Sequence, residues 1–279
     1  MSPDPSERRS GRGHGAGDGD RRARTSRPRT SRDRSGLGGD RVEGRRAVWE
    51  LLHAGRRGVH SVTLAGGRDR SEILDRIIEL ANESNVLINE LPVERFDVLT
   101  KTDQAQGVFA DADAVSPAEL DDLLAAERPF LVALDGVTDP HNLGAILRTA
   151  ETAGVTGVLL PRHRSAHLSP TAVKAAAGAV EYVPIALVAG IPQALERAHR
   201  AGVWSVGLDD GGDTNVMSLP LADGPIVVVL GAEGRGLARL TRERCELIAS
   251  IPMRGNIASL NVSAAAAIAL HAIAARRVP

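Results

Sequence analysis

The sequence predicts an α/β protein built mainly on a parallel sheet, with a smaller α/β unit ahead of it. Three observations carry that reading. From Phe130 onward the apolar runs FLVALDG, VTGVLLP, VWSVGL and PIVVVLG alternate with helical patterns over 140–153, 169–178 and 191–201. Continuous apolar runs suit strands buried on both faces, and strand–helix alternation is the pattern of parallel α/β domains. Apolar residues make up 43% of the chain but aromatic ones only 2%, so the core must be built from Leu, Val, Ile and Ala. That scarcity also argues against the base-stacking platforms of single-strand binders. Residues 1–40, by contrast, are Gly, Ser, Arg, Pro and Asp with almost no large apolar side chain. They cannot bury enough surface to offset the entropy of ordering, and disorder is expected there.

The elements follow in chain order. The 279 residues suit one large domain or two ordinary ones. A small α/β domain is expected over 41–113. It comprises a helix at 44–54 with Val48, Leu51 and Leu52 on one side, and a strand at Val59–Leu64. A helix capped by Ser71 then runs to about Asn85 with Ile73, Ile77, Ile78 and Leu80 inward. Strands at Val86–Leu91 and Gly107–Ala110 complete the domain. A linker follows over 114–129, holding a polar, capped helix at Ser116–Glu127. The large domain spans 130–279. After PIVVVLG come a Gly-rich turn, a polar helix around Leu237–Cys245, the short strand IASIPM, the loop RGNIASLNVS and an Ala-rich helix to Arg277. Small side chains on that last helix permit very close packing.

Charge and composition exclude several classes. The chain holds 34 basic and 35 acidic residues. Residues 1–40 carry ten Arg against six acids, and the rest has a net charge of −5. The basic arm reads either as a solvated tail or as a source of non-specific RNA affinity. Only Lys101 and Lys174 are lysines, so the Arg bias reflects coding composition as readily as phosphate binding. The single Cys245 excludes an internal disulfide and points to a reducing compartment. No apolar stretch reaches membrane-spanning length and no secretory h-region opens the chain, so a cytoplasmic protein is expected. No Ser-His-Asp order, P-loop or Cys-rich zinc pattern is present. His163 and His167 are four apart, but no third ligand lies nearby, so no metal is expected.

Three segments carry chemistry. In Asp135–Arg148, DGVTDPHNLGAILR, Asp139 can cap a helix whose first turn accepts Pro140. Leu143, Ile146, Leu147 and Ala150 form its buried stripe. Arg148 lies off that stripe, rotated about 240° from Asn142 along a regular helix. The two share a site only if Asn142 belongs to the entry turn; otherwise Arg148 is a surface arginine and Asn142 a cap. In the second segment, GAEGRG at Gly231–Gly236, glycines directly after a strand let a ligand approach the backbone. A dinucleotide fingerprint fits poorly, because the spacing is G-x-x-G-x-G and Ile251 stands where an acidic residue belongs. Glu233 would repel phosphate and better suits a ligand with a cationic or hydroxyl-rich part. The third segment is Ile251–Ser263, IPMRGNIASLNVS. Ser259 and Asn261 face one side of an extended loop, and either can cap the final helix.

Together, Asn142-Leu-Gly-Ala-Ile-Leu-Arg148, Leu230-Gly-Ala-Glu233-Gly-Arg-Gly236 and Ser259-Leu-Asn261-Val-Ser263 resemble the three motifs of the SpoU/TrmH-type RNA 2′-O-ribose methyltransferases of the SPOUT superfamily. The resemblance covers 130–277 with no departure at the motif positions. Residues 42–112, opening VEGRRAVWELL, resemble the small substrate-binding domain of the rRNA-modifying branch. The arginine-rich extension is not part of the common pattern. The resemblance implies a C-terminal trefoil knot, a rare exception to unknotted topology, and a homodimer. It implies S-adenosylmethionine held around Leu230, Gly231, Gly236, Ile251 and Leu260, and catalysis by Arg148 with Asn142, Glu233, Ser259 and Asn261. The implied substrate is a ribose 2′-hydroxyl, in 23S rRNA with guanosine favoured. A tRNA target and a non-catalytic ribosome-assembly role stay open.

Overall fold

The computed structural model describes residues 36–67, 71–163, 165–257 and 259–277. Of the segment expected to be disordered, 1–35 lies outside the described residues. The remainder is packed: Leu37 is buried, and Gly39 N–H donates to the Leu168 carbonyl at 2.8 Å. Leu37, an apolar residue among the glycines, anchors this stretch in the same core cluster as Leu168.

The first sheet has four strands. They are β1 (Arg41–Glu43), β2 (Val59–Ala65), β3 (Leu87–Leu91) and β4 (Val108–Ala112), in the order β1-β4-β2-β3. Strand β4 is antiparallel to both β1 and β2, whereas β2 and β3 are parallel. The parallel pair needs a crossover. Helix α2 (Glu72–Glu83) supplies it, beside α1 (Arg45–Ala54). Leu74, Ile77 and Ala81 are the buried residues of α2, so Ile73, Ile78 and Leu80 sit only part-buried at the margins of the expected stripe. Ser71 is at the N-cap position, yet its hydroxyl accepts from Arg45 at 3.1 Å instead of from its own helix. Two elements around this first sheet have no counterpart in the sequence pattern: β1 and a short α3 (Val93–Leu99). Strand β1 is anchored by the fully buried Glu43 carboxylate. It accepts from the amides of Lys101 and Thr102 at 2.8 and 2.9 Å and from the Thr102 hydroxyl at 2.7 Å, which offsets its desolvation.

The expected helix over 116–127 contracts to α4 (Leu120–Leu124). Ala118 N–H donates to the Ile185 carbonyl at 2.8 Å, so the chain ahead of α4 is held as an edge of the large sheet. The alternation from Phe130 then delivers β5 (Phe130–Asp135), α5 (Pro140–Thr152), β6 (Gly157–Pro161), α6 (Pro170–Ala175), β7 (Ile185–Val188), α7 (Ile191–Arg200) and β8 (Trp204–Leu208). The tail comprises β9 (Thr214–Asn215), β10 (Ile226–Gly231), α8 (Arg239–Arg244), β11 (Leu247–Ser250) and α9 (Val262–Ala274). Strand β7, a four-residue run between Pro184 and Gly190, is not among the expected strands, nor is the two-residue β9.

The second sheet runs β7-β6-β5-β10-β8-β11-β9 with every pair parallel. Strand β10 sits between β5 and β8, with Ile226 opposite both Phe130 and Trp204. Alternate residues of one strand feed different cores. Phe130, Val132 and Leu134 join one cluster with α5 and α9, while Leu131 and Ala133 join another with α7. Burial on both faces explains why these strands read as unbroken apolar runs.

Candidate functional site

The site is assembled at the carboxyl ends of the central parallel strands, where open α/β sheets take their ligands. Beyond β5, the Asp139 side chain caps α5 by accepting from His141 N–H at 3.0 Å, and Pro140 fills the first turn. Leu143, Ile146, Leu147 and Ala150 are all fully buried, as their spacing demands. Asn142 enters the fold in the first turn of α5 and is 6% exposed.

The turn after β10 is folded back on itself. Ala232 and Gly236 exchange backbone hydrogen bonds of 3.0 and 2.9 Å, and Gly234 and Gly236 hold φ of +74° and +64°. A Cβ on Gly231 would lie 2.2 Å from the Gly236 carbonyl carbon, so only glycine permits this closure. Glu233 rides within the turn. Asp135, at the end of β5, accepts from Ala238 N–H at 2.8 Å and occupies the amide that opens α8. The Leu230 side chain is buried in the core.

The third segment closes the arrangement. The Asn261 side-chain oxygen caps α9, accepting from Ser263 N–H at 2.8 Å and from the Ser263 hydroxyl at 2.6 Å. Its amide nitrogen donates to Asn142 Oδ1 at 3.0 Å and to Glu233 Oε1 at 3.4 Å. Asn142 Nδ2 in turn donates to Glu233 Oε2 at 3.3 Å. Residues drawn from three distant segments thus form one closed polar triangle. Asn142 and Asn261 each sit at a helix start, as the spacing expects, and also reach across to Glu233.

The other candidates stand differently. Ser259 is exposed and makes no hydrogen bond with the described residues. Ile251 is half-buried just past β11, and Leu260 is 39% exposed. Arg148 is exposed on another side of α5, as the 240° rotation requires, and touches none of the triangle. It lines a cleft of about 400 Å³ together with Trp49 and His53 of α1 and Tyr182. The Trp49–His53 pair, four residues apart on one helix, is visible in the sequence as a spacing, but nothing local marks it as part of a cleft. Burial, then the hydrogen bond to Glu50, pushes the Tyr182 hydroxyl up to about 12, so it stays a donor to Glu50 Oε2 at 2.7 Å. Among the described residues no group of three His, Cys, Asp or Glu could hold a metal, and no helix is long and apolar enough to cross a membrane.

Comparison with known proteins decides the family. Residues 129–271 match the model of the SpoU rRNA Methylase family. The chain belongs to that family. Residues 41–118 match a second family model, RNA 2′-O ribose methyltransferase substrate binding. Among relatives, the chain is 40% identical over 249 residues to the 23S rRNA (guanosine-2′-O-)-methyltransferase RlmB of Pseudomonas aeruginosa, covering 86% of this chain and 98% of that protein. The crystal structure of the SpoU methyltransferase AviRb from Streptomyces viridochromogenes in complex with the cofactor AdoMet superposes with a TM-score of 0.71 at 25% identity, covering 85% of this chain and 90% of that one. An AdoMet-bound rRNA methyltransferase from Sinorhizobium meliloti gives 0.71 at 26% identity, covering 86% and 88%. The three motif segments fall within the SpoU match, and the small sheet falls within the substrate-binding match.

Proposed function

We propose that this protein transfers a methyl group from S-adenosylmethionine to a ribose 2′-hydroxyl of RNA, with guanosine in 23S rRNA as the target. The observation that carries the reading is the hydrogen-bonded triangle of Asn142, Glu233 and Asn261, which ties the three motif segments together beside a glycine turn.

The residues present fit that cofactor. Among the described residues of 252–260, no backbone amide or carbonyl is engaged in a hydrogen bond, which leaves a run of donors and acceptors available. Met253, Ile257 and Leu260 expose apolar surface in the same loop, at 40%, 75% and 39%. Backbone groups around Gly231, Gly236, Ile251 and Leu260 would hold the cofactor, and Glu233, bonded to Asn142 and Asn261, would fix the loop geometry beside it. When bound, the cofactor supplies an electrophilic methyl group on a sulfonium, so no metal is called for.

The difficult partner is the 2′-hydroxyl, a weak acid whose proton passes to the substrate's own phosphate as the new O–C bond forms. Arg148 supplies a guanidinium. It holds the substrate phosphate and stabilises the developing alkoxide electrostatically. Asn142 and Asn261 fix Glu233 through both carboxylate oxygens, and Ser259 positions the nucleotide. Arg148 stands about 9 Å along α5 and about 240° around it from Asn142. A homodimer in which one copy's Arg148 faces the glycine turn of the other reconciles that separation. The same reading includes a trefoil knot in the C-terminal segment, an arginine-rich arm outside the common pattern, and work in the cytoplasm.

The test uses labelled S-adenosylmethionine, purified protein and RNA from cells lacking the gene, followed by alkaline hydrolysis. A 2′-O-methyl blocks alkaline cleavage, so label is expected in resistant dinucleotides. Label in mononucleotides would mean base methylation and overturn the mechanism. No label on any RNA would favour a non-catalytic RNA-binding role.

A further inference from the structure

We propose that the cleft between α1 and α5 is a pocket for one unpaired guanine of the RNA substrate. The base stacks on His53, its phosphate meets Arg148, and its N–H donors meet Glu151. The proposal rests on the RNA-methyltransferase reading and names where that substrate is gripped.

One wall is aromatic. The rings of Trp49 and His53 are stacked, with centroids 4.6 Å apart and planes 11° from parallel. His53 is exposed and makes no hydrogen bond with the described residues, so one ring face is taken by Trp49 and the other is open. In a chain with 2% aromatic residues, an exposed His53 stacked on a part-buried Trp49, whose ring also carries the Arg46 guanidinium at 4.8 Å, is a distinctive lining for a cleft. Unpaired bases are bound by such stacking, which any base can supply with its π-face.

The floor is α5. Arg148 and Glu151, three residues apart, share one helix face and both line the cleft. Neither side chain makes a hydrogen bond or ion pair with the described residues, so a cation and a carboxylate stand ready side by side. A guanidinium is well suited to phosphate. A carboxylate best matches guanine, the base that presents two adjacent N–H donors on its Watson–Crick edge. The cleft's other carboxylate, Glu50, is already engaged by Arg46 at 2.6 Å and by the Tyr182 hydroxyl at 2.7 Å.

The walls are fixed relative to each other. Behind the cleft, Glu181, the chain neighbour of the lining residue Tyr182, pairs with Arg57 at 2.6 and 2.9 Å with both side chains nearly excluded from water. A Cβ on Gly178 would lie 2.3 Å from Glu50 Cβ, so the backbone there is pressed directly against α1. A preformed cleft costs little ordering on binding. Its volume of about 400 Å³ is within the range of small-ligand sites.

The chain has two tryptophans, so Trp204→Phe leaves Trp49 as the single reporter in the full-length protein. Titration with unmodified 23S rRNA transcript is expected to quench Trp49, and perfectly duplex RNA is not. His53→Ala and Glu151→Gln are each expected to raise KM for the transcript about tenfold, with kcat and S-adenosylmethionine affinity unchanged. His53→Phe, which keeps a stacking ring, should restore KM. If wild-type protein methylates the transcript while Trp49 is not quenched, or while His53→Ala leaves KM unchanged, the pocket is wrong and the reaction stands. If Trp49 is quenched but no methyl is transferred, the pocket stands and the reaction falls. If neither occurs, both fall.

Discussion

At the residue scale the site divides by the number of partners each side chain has. Glu233 uses both carboxylate oxygens on asparagine amides, and Asn261 also commits its oxygen to the cap of α9. Such groups are held to one geometry, and the role proposed for them is positional. Arg148 has no partner among the described side chains, which is what the proposed phosphate contact requires. Replacing it isolates that role. Arg148→Ala is expected to lower methyl transfer by at least about a hundredfold, with S-adenosylmethionine affinity, read by calorimetry, nearly unchanged. Arg148→Lys should rescue little, because an ammonium cannot reproduce the planar fork. Loss of cofactor binding and transfer together would make Arg148 a structural residue.

At the element scale, α5 is positioned by what it packs against. Gly144 lies where α5 meets α6, and a Cβ there would fall 2.4 Å from the Ala172 carbonyl oxygen and 2.5 Å from Ala175 Cβ. The obstacle is largely backbone, which yields poorly. Gly144→Ala should therefore destabilise by about 1–3 kcal/mol despite its better helix propensity, read as a lower urea midpoint. A second element is pinned by Glu246, between α8 and β11. Its carboxylate accepts from Ser205 N–H at 2.6 Å, from the Ser205 hydroxyl at 2.9 Å and from His199 at 2.6 Å. Burial alone would raise its pKa, but these hydrogen bonds and the nearby His199 outweigh burial and bring it below the ordinary carboxylate value. A depressed folded pKa stabilises above the unfolded value and loses that contribution as pH falls through the folded one. Urea midpoints of the wild type should thus fall between neutral pH and acid, and Glu246→Gln should reduce both the neutral stability and the size of that fall.

At the scale of the whole molecule, charge is unevenly placed. All ten arginines of the first 40 residues lie within 1–35, ahead of the packed Leu37. Deleting 1–35 should weaken RNA binding and flatten the dependence of log K on log salt, by about 0.7 for each single-strand phosphate that the arm no longer neutralises. Identical salt slopes for the full and shortened chains would leave the arm without a role in binding. Methyl transfer at saturating RNA should persist in the shortened chain, because every residue of the site lies outside the deletion.

Much of this molecule is legible in one dimension. Parallel strands buried on both faces must be apolar throughout, so Phe130–Asp135 and Ile226–Gly231 announce themselves. The buried stripe of α5 and its Asp139 cap are local matters that spacing alone settles. Short edge strands are not legible. Arg41–Glu43 and Thr214–Asn215 are strands only because a neighbour offers hydrogen bonds, and Ser71 gives up its capping role only because Arg45 reaches it. Motif order points to Asn142, Glu233 and Asn261. Only the tertiary structure decides that these three touch while Arg148 and Ser259 stand apart, because the contacts join residues 91 and 119 positions distant along the chain. No local pattern encodes such a separation; the parallel sheet brings the ends of its central strands together, and the helix rotation sends Arg148 to another face.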